Sequence, residues 1–314
     1  MKYYLSIDAG TSIIKTVIFN QDFKIKFKSS IENKVQTDSK GKSEINMRSF
    51  WSLTSKLIKS SLKKSKIKNI DIIGVGVTGN MVGVWPVNSK GKPVRNAILW
   101  NDARSKEIFD KIQKSNPKIY QKIFDLTGSI VQFGCTVPVI KWLEKNEPQI
   151  IKKTDYFLTC KDWIRLNLTN EFNNDHTERA VAPGDIKNAD LSLKIFKLLK
   201  LNKKYLNKFP QVKKSQDIAG YITSNAAKET GLLSGTPVIV GTGDVPASAI
   251  GVGAIHNNQT SSIIGTTCHN YLVSPKPIFF PKNSGLLFYS PNNQWLRTMI
   301  NVAGTTNLDW IVKN

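Results

Sequence analysis

Two short turns rich in glycine and threonine have the residue types of a phosphate-binding site. The first spans residues 8–12 between two predicted strands, and the second spans residues 265–267 between two more. Such turns direct backbone N–H groups and hydroxyls outward, which makes a concave cradle for phosphate. The alternative for either turn alone is a hairpin whose glycine only supplies a positive φ angle. Because similar turns open both halves of the chain, phosphate binding is favoured.

Asp8 and Lys15 lie beside the first turn and suit the charges of a nucleotide site. Asp8 ends the first predicted strand, where its carboxylate can hold a hydrated Mg2+, since this ion keeps several waters and uses few carboxylates. Lys15 on the next strand can approach a phosphate as a point charge. We expect Gly10, Thr11 and Ser12 to contribute backbone or hydroxyl groups to the same site.

Asp244 follows a predicted buried strand, in a glycine-flanked turn, and can act as a general base. Small side chains follow it at residues 247–249. A carboxylate in this position can accept the proton of a substrate hydroxyl as that hydroxyl attacks phosphorus. The alternative is that Asp244 caps the N-terminus of the helix that follows.

Two polar segments that include an indole or thioether suit a sugar or polyol. Such a ligand offers hydroxyl edges together with an apolar C–H face. The candidate substrate residues are Asn80, Met81, Trp100, Asn101, Asp102 and Arg104. The alternative is two polar surface loops, with Trp100 packed in the core.

Strands that alternate with helices must position these residues, and this pattern predicts an α/β protein. Strands are predicted at 3–7, 13–19, 24–28, 70–77, 82–87, 156–159, 237–241, 261–264 and 271–273. Helices are predicted behind the N-cap Asn46 and at 105–114, 138–145, 162–168 and 191–201.

The net charge of +22 on 314 residues would by itself suggest nucleic acid or an anionic membrane as a partner. The 45 basic residues comprise six Arg and 39 scattered Lys. Nucleic-acid readers favour Arg and interleave aromatic residues with cations, and neither pattern occurs. No run approaches the roughly 18 apolar residues of a spanning helix. We therefore expect neither nucleic acid nor membrane as a partner.

The remaining composition predicts a folded cytoplasmic protein. Hydrophobic residues make up 40% of the chain, which excludes a disordered polymer. The N-terminus reaches Asp8 too early for a signal peptide. Cys135, Cys160 and Cys268 lack metal-site spacing and suit reduced, packed thiols.

Taken in order, these motifs resemble those of the FGGY family of carbohydrate kinases. The segments that carry the resemblance are 8–15, 74–81, 91–104, 141–148, 161–165, 230–238, 241–244 and 264–267. They occur collinearly over essentially the whole chain, so together they are more specific than any one of them alone.

The resemblance implies a two-domain α/β kinase of the actin, hexokinase and Hsp70-like superfamily. Each domain would be built on a ribonuclease-H-like sheet, with ATP and Mg2+ in the cleft between them. Asp244 would be the general base and Asp8 the metal ligand, while the sugar would bind at Asn80, Met81 and residues 100–104. The residues assigned to the nucleotide are Asp8, Gly10, Thr11, Ser12, Lys15, Gly265, Thr266 and Gly304.

Three departures from the family pattern bear on substrate and activity. Val245 follows the expected base where the family often has Gln, and Val82 stands where D-xylulose kinases have His. The lost polar contacts favour a pentulose or short polyol other than glycerol or D-xylulose. The third departure is length, since an N-terminal domain at 1–246 leaves 247–314 as the incomplete start of a second domain.

Two functions remain open on this evidence. One is an ATP-dependent kinase that phosphorylates a hydroxyl of a pentulose or related sugar or polyol. The other is a truncated, non-catalytic sugar-binding remnant of such a kinase. A homodimer is compatible with either.

Overall fold

A computed structural model describes residues 1–264, 268–301 and 304–313 of the chain. The strands are β1 (Tyr3–Ala9), β2 (Ile13–Asn20), β3 (Ile25–Glu32), β4 (Gln36–Thr37), β5 (Ser43–Ile45), β6 (Ile72–Gly79), β7 (Trp85–Val87), β8 (Ala97–Ile98), β9 (Tyr156–Leu158), β10 (Asn173–Asp175), β11 (Gly184–Asp185), β12 (Asp190–Leu191), β13 (Gln211–Lys213), β14 (Ile218–Tyr221), β15 (Pro237–Ile239), β16 (Thr260–Ile264), β17 (Cys268–Ser274), β18 (Leu286–Ser290) and β19 (Gln294–Asn301).

The α-helices are α1 (Met47–Ser65), α2 (Lys106–Ser115), α3 (Ile119–Thr127), α4 (Thr136–Asn146), α5 (Pro148–Lys153), α6 (Cys160–Thr169), α7 (His176–Val181), α8 (Leu193–Leu198), α9 (Ser224–Thr230), α10 (Asp244–Gly251) and α11 (Thr305–Lys313). Two short 3₁₀ helices span Asn69–Asp71 and Lys203–Lys208.

A six-stranded mixed sheet in the order β14-β15-β6-β1-β2-β3 organises the larger part of the chain. Strand β1 pairs antiparallel with β2 and parallel with β6, so the ends of β1 and β6 meet at one edge. Leu5, Ile7 and Ala9 alternate with less buried residues and lie in the main core. This alternation is typical of a strand in which one face is more buried than the other.

Side-chain caps fix two of the helices that cover this sheet. The Asn46 side chain accepts a hydrogen bond from the Ser49 amide at 2.9 Å, which confirms the predicted start of α1. Thr159 and Asp162 form a capping box at the start of α6. Both helices bury apolar side chains against the sheet, including Phe50 and Ile58 of α1.

A second, antiparallel sheet in the order β16-β17-β19-β18 follows α10. Its hairpin β16–β17 is the second of the two strand-turn-strand units predicted from the sequence, and its turn lies outside the described residues. Leu286 and Phe288 of β18 pack with Met81, Val82 and other residues of the larger part in one buried cluster. This cluster connects the second sheet to the first.

Most of the predicted elements have the expected type, and the α/β class is confirmed. Two predictions of local structure were wrong. The strand expected over 82–87 begins only at Trp85, because Val82 and Gly83 both adopt positive φ angles. The helix expected over 191–201 is shorter, because Leu191 pairs in β12 and Ser192 caps α8.

Two further features bear on the sequence analysis. The predicted domain boundary at residue 246 falls within α10 and remains a prediction. Every helix within the described residues is too short or too polar to cross a membrane.

Candidate active site

The first hairpin brings two opposite charges together at the end of β1. Asp8 and Lys15 are partners in the antiparallel register of β1 and β2, and Lys15 Nζ lies 3.2 Å from Asp8 Oδ2. A Cβ atom on Gly10 would lie 2.5 Å from the Ile13 carbonyl oxygen, so this tight turn requires glycine. Thr11 and Ser12 complete the turn, with Thr11 half-buried and Ser12 exposed.

The end of β6 lies next to this hairpin. In the parallel register of β1 and β6, Asp8 pairs with Thr78. The Thr78 hydroxyl donates a hydrogen bond to the Thr242 carbonyl at 2.8 Å. The turn that precedes Asp244 is therefore anchored at the same edge of the sheet as Asp8.

Asp244 is the first residue of α10, and Gly243 is the N-cap. The interpretation of Asp244 as the N-cap was therefore wrong. The preceding turn passes so close to β6 that a Cβ atom on Gly241 would lie 2.0 Å from the Val77 carbonyl oxygen. This close approach, together with a φ of 74°, requires glycine at that position.

A buried ionic network stabilises the turn that precedes Asp244. Lys161, Asp162, Arg165 and Asp175 are buried and form ion pairs among themselves, and Arg165 also donates to the Val240 carbonyl. Removing one partner from such a cluster would leave an uncompensated buried charge. The network therefore constrains the backbone that leads into Asp244.

Burial and a second carboxylate shift the titration of Asp244. Desolvation, together with the nearby negative charge of Asp8, raises the pKa of Asp244 to about 7. The positive charge of Lys15 acts in the opposite direction. A carboxylate with such a pKa can hold or release a proton near neutral pH, which suits a general base.

A cavity of about 500 Å³ opens beside Asp244. Its volume is within the range of small-molecule sites. The lining residues are Thr11, Met81, Val82, Trp100, Ile130, Gln132, Val181, Asp244, Val245, His269, Leu286, Phe288 and Ile300. Four of the predicted site residues, Thr11, Met81, Trp100 and Asp244, thus meet at one cavity, where Trp100 Nε1 donates to Thr11 Oγ1 at 3.0 Å.

The other predicted substrate residues lie outside the cavity lining, as far as the structure describes the chain. Asn80 is buried, and its Nδ2 donates to the Ala9 carbonyl at 3.0 Å. Asn101 is exposed. Asp102 and Arg104 form a buried bidentate ion pair, in which Arg104 Nε and Nη2 each lie 2.8 Å from a carboxylate oxygen. In this structure the Asp102–Arg104 pair holds the loop together.

Three predicted nucleotide residues belong to the second part of the chain. Gly265 and Thr266 lie outside the described residues. Gly304 is half-buried and lies immediately before α11. Their roles remain predictions.

Several lining residues were not predicted from the sequence. Gln132 lies in the loop before α4, and the half-buried His269 lies on β17, where burial lowers its pKa. The position of His269 just after the second Gly-Thr turn is the signal that could have indicated it. Ile130, Leu286 and their apolar neighbours have no local sequence signal, since they meet only when the second sheet packs onto the first.

Val82 and Val245 also line the cavity, and they are the two positions at which the sequence departs from the FGGY pattern. Val82 has a φ of 55°, which is unusual for a β-branched residue. The buried Glu178 accepts a hydrogen bond from the Val82 amide at 2.8 Å, and burial raises the pKa of Glu178 to about 8. Glu178 therefore stabilises the strained backbone behind this part of the cavity.

The donor set at the first hairpin fits Mg2+. This ion needs one or two carboxylates and keeps several waters, and the charge of Asp8 is near enough to raise the pKa of Asp244. Within the described residues there is no cluster of three or more His, Cys, Asp or Glu side chains that could enclose a metal completely. The residues thus fit a partly hydrated Mg2+ rather than a protein-enclosed ion.

Comparisons with known proteins find related sequences. The sequence model of the FGGY family of carbohydrate kinases, N-terminal domain, matches residues 3–251. The chain is 27% identical to the probable L-xylulose kinase of Haemophilus influenzae over 99% of this chain and 64% of that protein. It is 31% identical to the xylulose kinase of Bacillus subtilis over 85% of this chain and 52% of that protein.

Solved structures show the same fold. The ligand-bound xylulose kinase from Lactobacillus acidophilus superposes with a TM-score of 0.89 at 21% identity, covering 99% of this chain and 62% of that one. Plasmodium falciparum glycerol kinase with ADP gives a TM-score of 0.88 at 19% identity, covering 100% and 64%. The predicted actin and hexokinase-like fold is confirmed. The chain spans between about half and two thirds of the length of these relatives.

Proposed function

The chain belongs to the FGGY family of carbohydrate kinases, and on this premise we propose that it transfers the γ-phosphate of ATP to a hydroxyl of a pentulose or related sugar or polyol. The observation that carries the proposal is the position of Asp244. This residue lines a ligand-sized cavity, has a pKa raised to about 7, and lies within electrostatic reach of Asp8 at the first hairpin.

The sugar would bind in the cavity with its reacting hydroxyl at Asp244. The hydroxyl oxygen attacks the γ-phosphorus, the bond between that phosphorus and the β-phosphate oxygen breaks, and ADP leaves. Asp244 accepts the hydroxyl proton as this happens. Trp100, fixed by its hydrogen bond to Thr11, offers an apolar face to the C–H groups of the sugar.

The first hairpin would handle the charge of the nucleotide. Mg2+ would neutralise charge on the phosphates when bound, and Asp8 would hold it. Lys15 would act as a point charge toward the same phosphates once its contact with Asp8 is loosened. The backbone N–H groups of residues 10–12 would supply further donors to phosphate oxygens.

Replacing Asp244 by Asn tests the base. The assay is release of ADP from ATP and Mg2+ in the presence of each of a panel of pentuloses and polyols. We expect D244N to lose turnover by a factor of about 10² to 10⁴, the usual contribution of general base catalysis, while sugar binding measured by calorimetry persists. Undiminished turnover by D244N would refute the base assignment.

Sugar binding without transfer is the second candidate. It is favoured by one observation: the predicted substrate residues Met81, Trp100 and Asp244 line the cavity, whereas Thr11 is the one predicted nucleotide residue among its described lining residues. Calorimetry with pentuloses and separately with ATP and Mg2+ distinguishes the two. Sugar binding without nucleotide binding favours the second candidate, and sugar-dependent ADP release favours the kinase.

A further inference from the structure

The bend at residues 82–83 brings an unusual backbone conformation to the lining of the substrate cavity. Val82, which lines this cavity, has a φ of 55°, and Gly83 has a φ of 71°. A left-handed conformation is costly for a β-branched residue, so it persists only where surrounding groups impose it. The groups around this bend therefore determine the shape of the cavity at Val82.

Two buried side chains form hydrogen bonds to the 82–83 bend. Glu178 Oε2 accepts from the Val82 amide, and Thr136 Oγ1 donates to the Gly83 carbonyl, each at 2.8 Å. Glu178 belongs to α7 and Thr136 to α4, so these bonds tie the bend to two helices. Because a buried donor or acceptor is costly to leave unpaired, both bonds favour the observed conformation.

Glu178 has a second carboxyl oxygen that has no partner among the described residues. The same holds for two further buried polar atoms, Asn174 Oδ1 and Arg179 Nε. Asn174 and Glu178 are each only 2% exposed. Buried polar atoms in native proteins are nearly always paired with protein or with ordered water, so these three atoms require a partner.

The residues that carry these atoms, together with Thr136, line one small cavity behind the 82–83 bend. Its volume is about 10 Å³, close to the minimum that holds one water molecule. A water molecule here can accept a hydrogen bond from Arg179 Nε and donate to Asn174 Oδ1 and Glu178 Oε1. Three hydrogen bonds are the usual number for a buried water. The composition and the size of this cavity thus fit a single water molecule.

The helix that carries Glu178 is also fixed at the reacting end of the substrate cavity. The Thr177 hydroxyl accepts from the Gly243 amide at 3.1 Å, one residue before Asp244. Val181, at the other end of α7, lines the substrate cavity. Helix α7 therefore connects the 82–83 bend with the turn that carries Asp244.

We propose that Glu178 is a positioning residue for the substrate, which fixes the 82–83 bend through the Val82 amide. One internal water molecule, bound between Asn174, Glu178 and Arg179, in turn fixes the Glu178 carboxyl group. Glu178 is not among the described residues that line the substrate cavity, so it acts through Val82. This inference rests on the proposed function, because it concerns how the same cavity binds its sugar.

A high-resolution crystal structure of the intact chain tests the water site without reference to activity. We expect a water molecule within about 2.7–3.2 Å of Asn174 Oδ1, Glu178 Oε1 and Arg179 Nε. If the electron density shows no water between these atoms, the water site is overturned, whatever the chain binds.

Glu178→Met and Thr136→Val test the positioning role, since each removes one hydrogen bond of the 82–83 bend at similar volume. Calorimetry with D- and L-xylulose and D- and L-ribulose measures the sugar affinity of each protein. A bend that keeps the binding conformation only about a tenth of the time weakens binding about tenfold, and we expect this loss for the tightest of the four sugars. Circular dichroism verifies the fold, and two positions are used so that the misfolding of one leaves the other informative.

Glu178→Gln and Thr54→Val are the matched controls. Gln keeps an acceptor oxygen for the Val82 amide, and burial raises the pKa of Glu178 to about 8, so the carboxyl group that Gln replaces is mostly neutral at pH 7. Thr54 is buried and donates to the Phe50 carbonyl, also at 2.8 Å, but it lies outside the described lining of both cavities. Both controls should bind the sugar within about threefold of the wild type.

A purely structural role would lower the stability of the Met and Val variants without changing the sugar affinity of the folded protein. Wild-type affinity in folded E178M and T136V would therefore overturn the positioning role. A loss of affinity in E178Q as large as that in E178M would overturn it as well, because Gln keeps the hydrogen bond to Val82. If none of the four sugars binds the wild type, the proposed sugar site fails and the positioning role with it, while the crystal structure still decides the water site.

Discussion

The Gly243 amide donates a hydrogen bond of 3.1 Å to the Thr177 hydroxyl, one residue before Asp244. The same hydroxyl donates to Asp175 Oδ2 at 2.6 Å, and Asp175 also pairs with the buried Lys161. A relay thus runs from a buried ion pair to the N-terminus of α10. It positions the Asp244 carboxylate, and its members are not among the described residues that line the cavity.

Thr177→Val removes both hydrogen bonds of this relay at nearly constant volume. It leaves the Gly243 amide and one Asp175 oxygen with one partner fewer, so we expect the free energy of unfolding to fall by about 1–3 kcal/mol. Thr177→Ser retains the hydroxyl, so its free energy of unfolding should fall much less. Urea denaturation of the three proteins measures the difference, and equal losses in the Val and Ser variants would show that the hydroxyl is unimportant.

Asp244→Asn should stabilise the folded protein in a pH-dependent manner. The folded pKa of about 7 exceeds the usual aspartate value of 3.8, so folding favours the protonated form. The wild type therefore loses stability as the pH rises from about 4 through 7, and the neutral Asn avoids this loss. We expect D244N to match the wild type closely near pH 4 and to exceed it in the free energy of unfolding by up to about 4 kcal/mol at pH 8.

Thermal or urea unfolding at pH 4, 6 and 8 measures this effect. The control is Glu107→Gln, which removes an exposed carboxylate from the first turn of α2. The difference in the free energy of unfolding between E107Q and the wild type should vary little between pH 4 and pH 8. If the difference in the free energy of unfolding between D244N and the wild type stays constant with pH, Asp244 does not titrate in this range.

Mg2+ should stabilise the protein through the paired carboxylates. A divalent cation between Asp8 and Asp244 offsets the repulsion that contributes to the raised pKa of Asp244. Free Mg2+ at about ten times its dissociation constant would add about 1.4 kcal/mol to the free energy of unfolding. Urea unfolding at pH 8 measures the gain, with calcium-free buffer and matched ionic strength.

Asp8→Asn should remove most of that Mg2+ effect. The control is Asp110→Asn, which changes an exposed carboxylate that pairs with Lys106 on α2. If D8N gains as much stability from Mg2+ as D110N does, the ion binds elsewhere and the metal assignment to Asp8 is wrong.

The sequence predicted the parts of the site that depend on short-range signals. The turn at residues 8–12 requires glycine for a local reason, namely the close approach of Gly10 to Ile13. The strand-turn-strand pattern of the sequence indicates this turn. Asp244 could be selected because it follows a buried strand in a glycine-flanked turn. In both cases the chemistry and the backbone constraint lie within a few residues of each other.

The apolar half of the cavity could not be predicted in the same way. Leu286 and Phe288 are ordinary strand residues, and only the packing of β18 against residues such as Val82 places them at a ligand site. Sequence patterns contain no information on that contact. Likewise, the polar run at 101–104 predicts a surface loop or a sugar site equally well, and only the structure shows the buried ion pair.

Asp102 and Arg104 should therefore contribute to stability rather than to ligand contact. Asp102 also accepts from the Ser43 amide at 2.7 Å, and Arg104 reaches Glu44, so the pair joins the loop to β5. Asp102→Asn leaves a buried guanidinium with reduced compensation, and we expect a loss of about 3–5 kcal/mol in the free energy of unfolding.

A double variant separates this structural role from substrate binding. D102N combined with Arg104→Met removes both charges. The fall in its free energy of unfolding should therefore be smaller than the sum of the falls in the two single variants. The folded fraction of each variant should bind the preferred sugar within about threefold of the wild type, since neither residue lines the described cavity. A loss of sugar affinity of a hundredfold or more in a folded variant would instead place this pair in contact with the substrate.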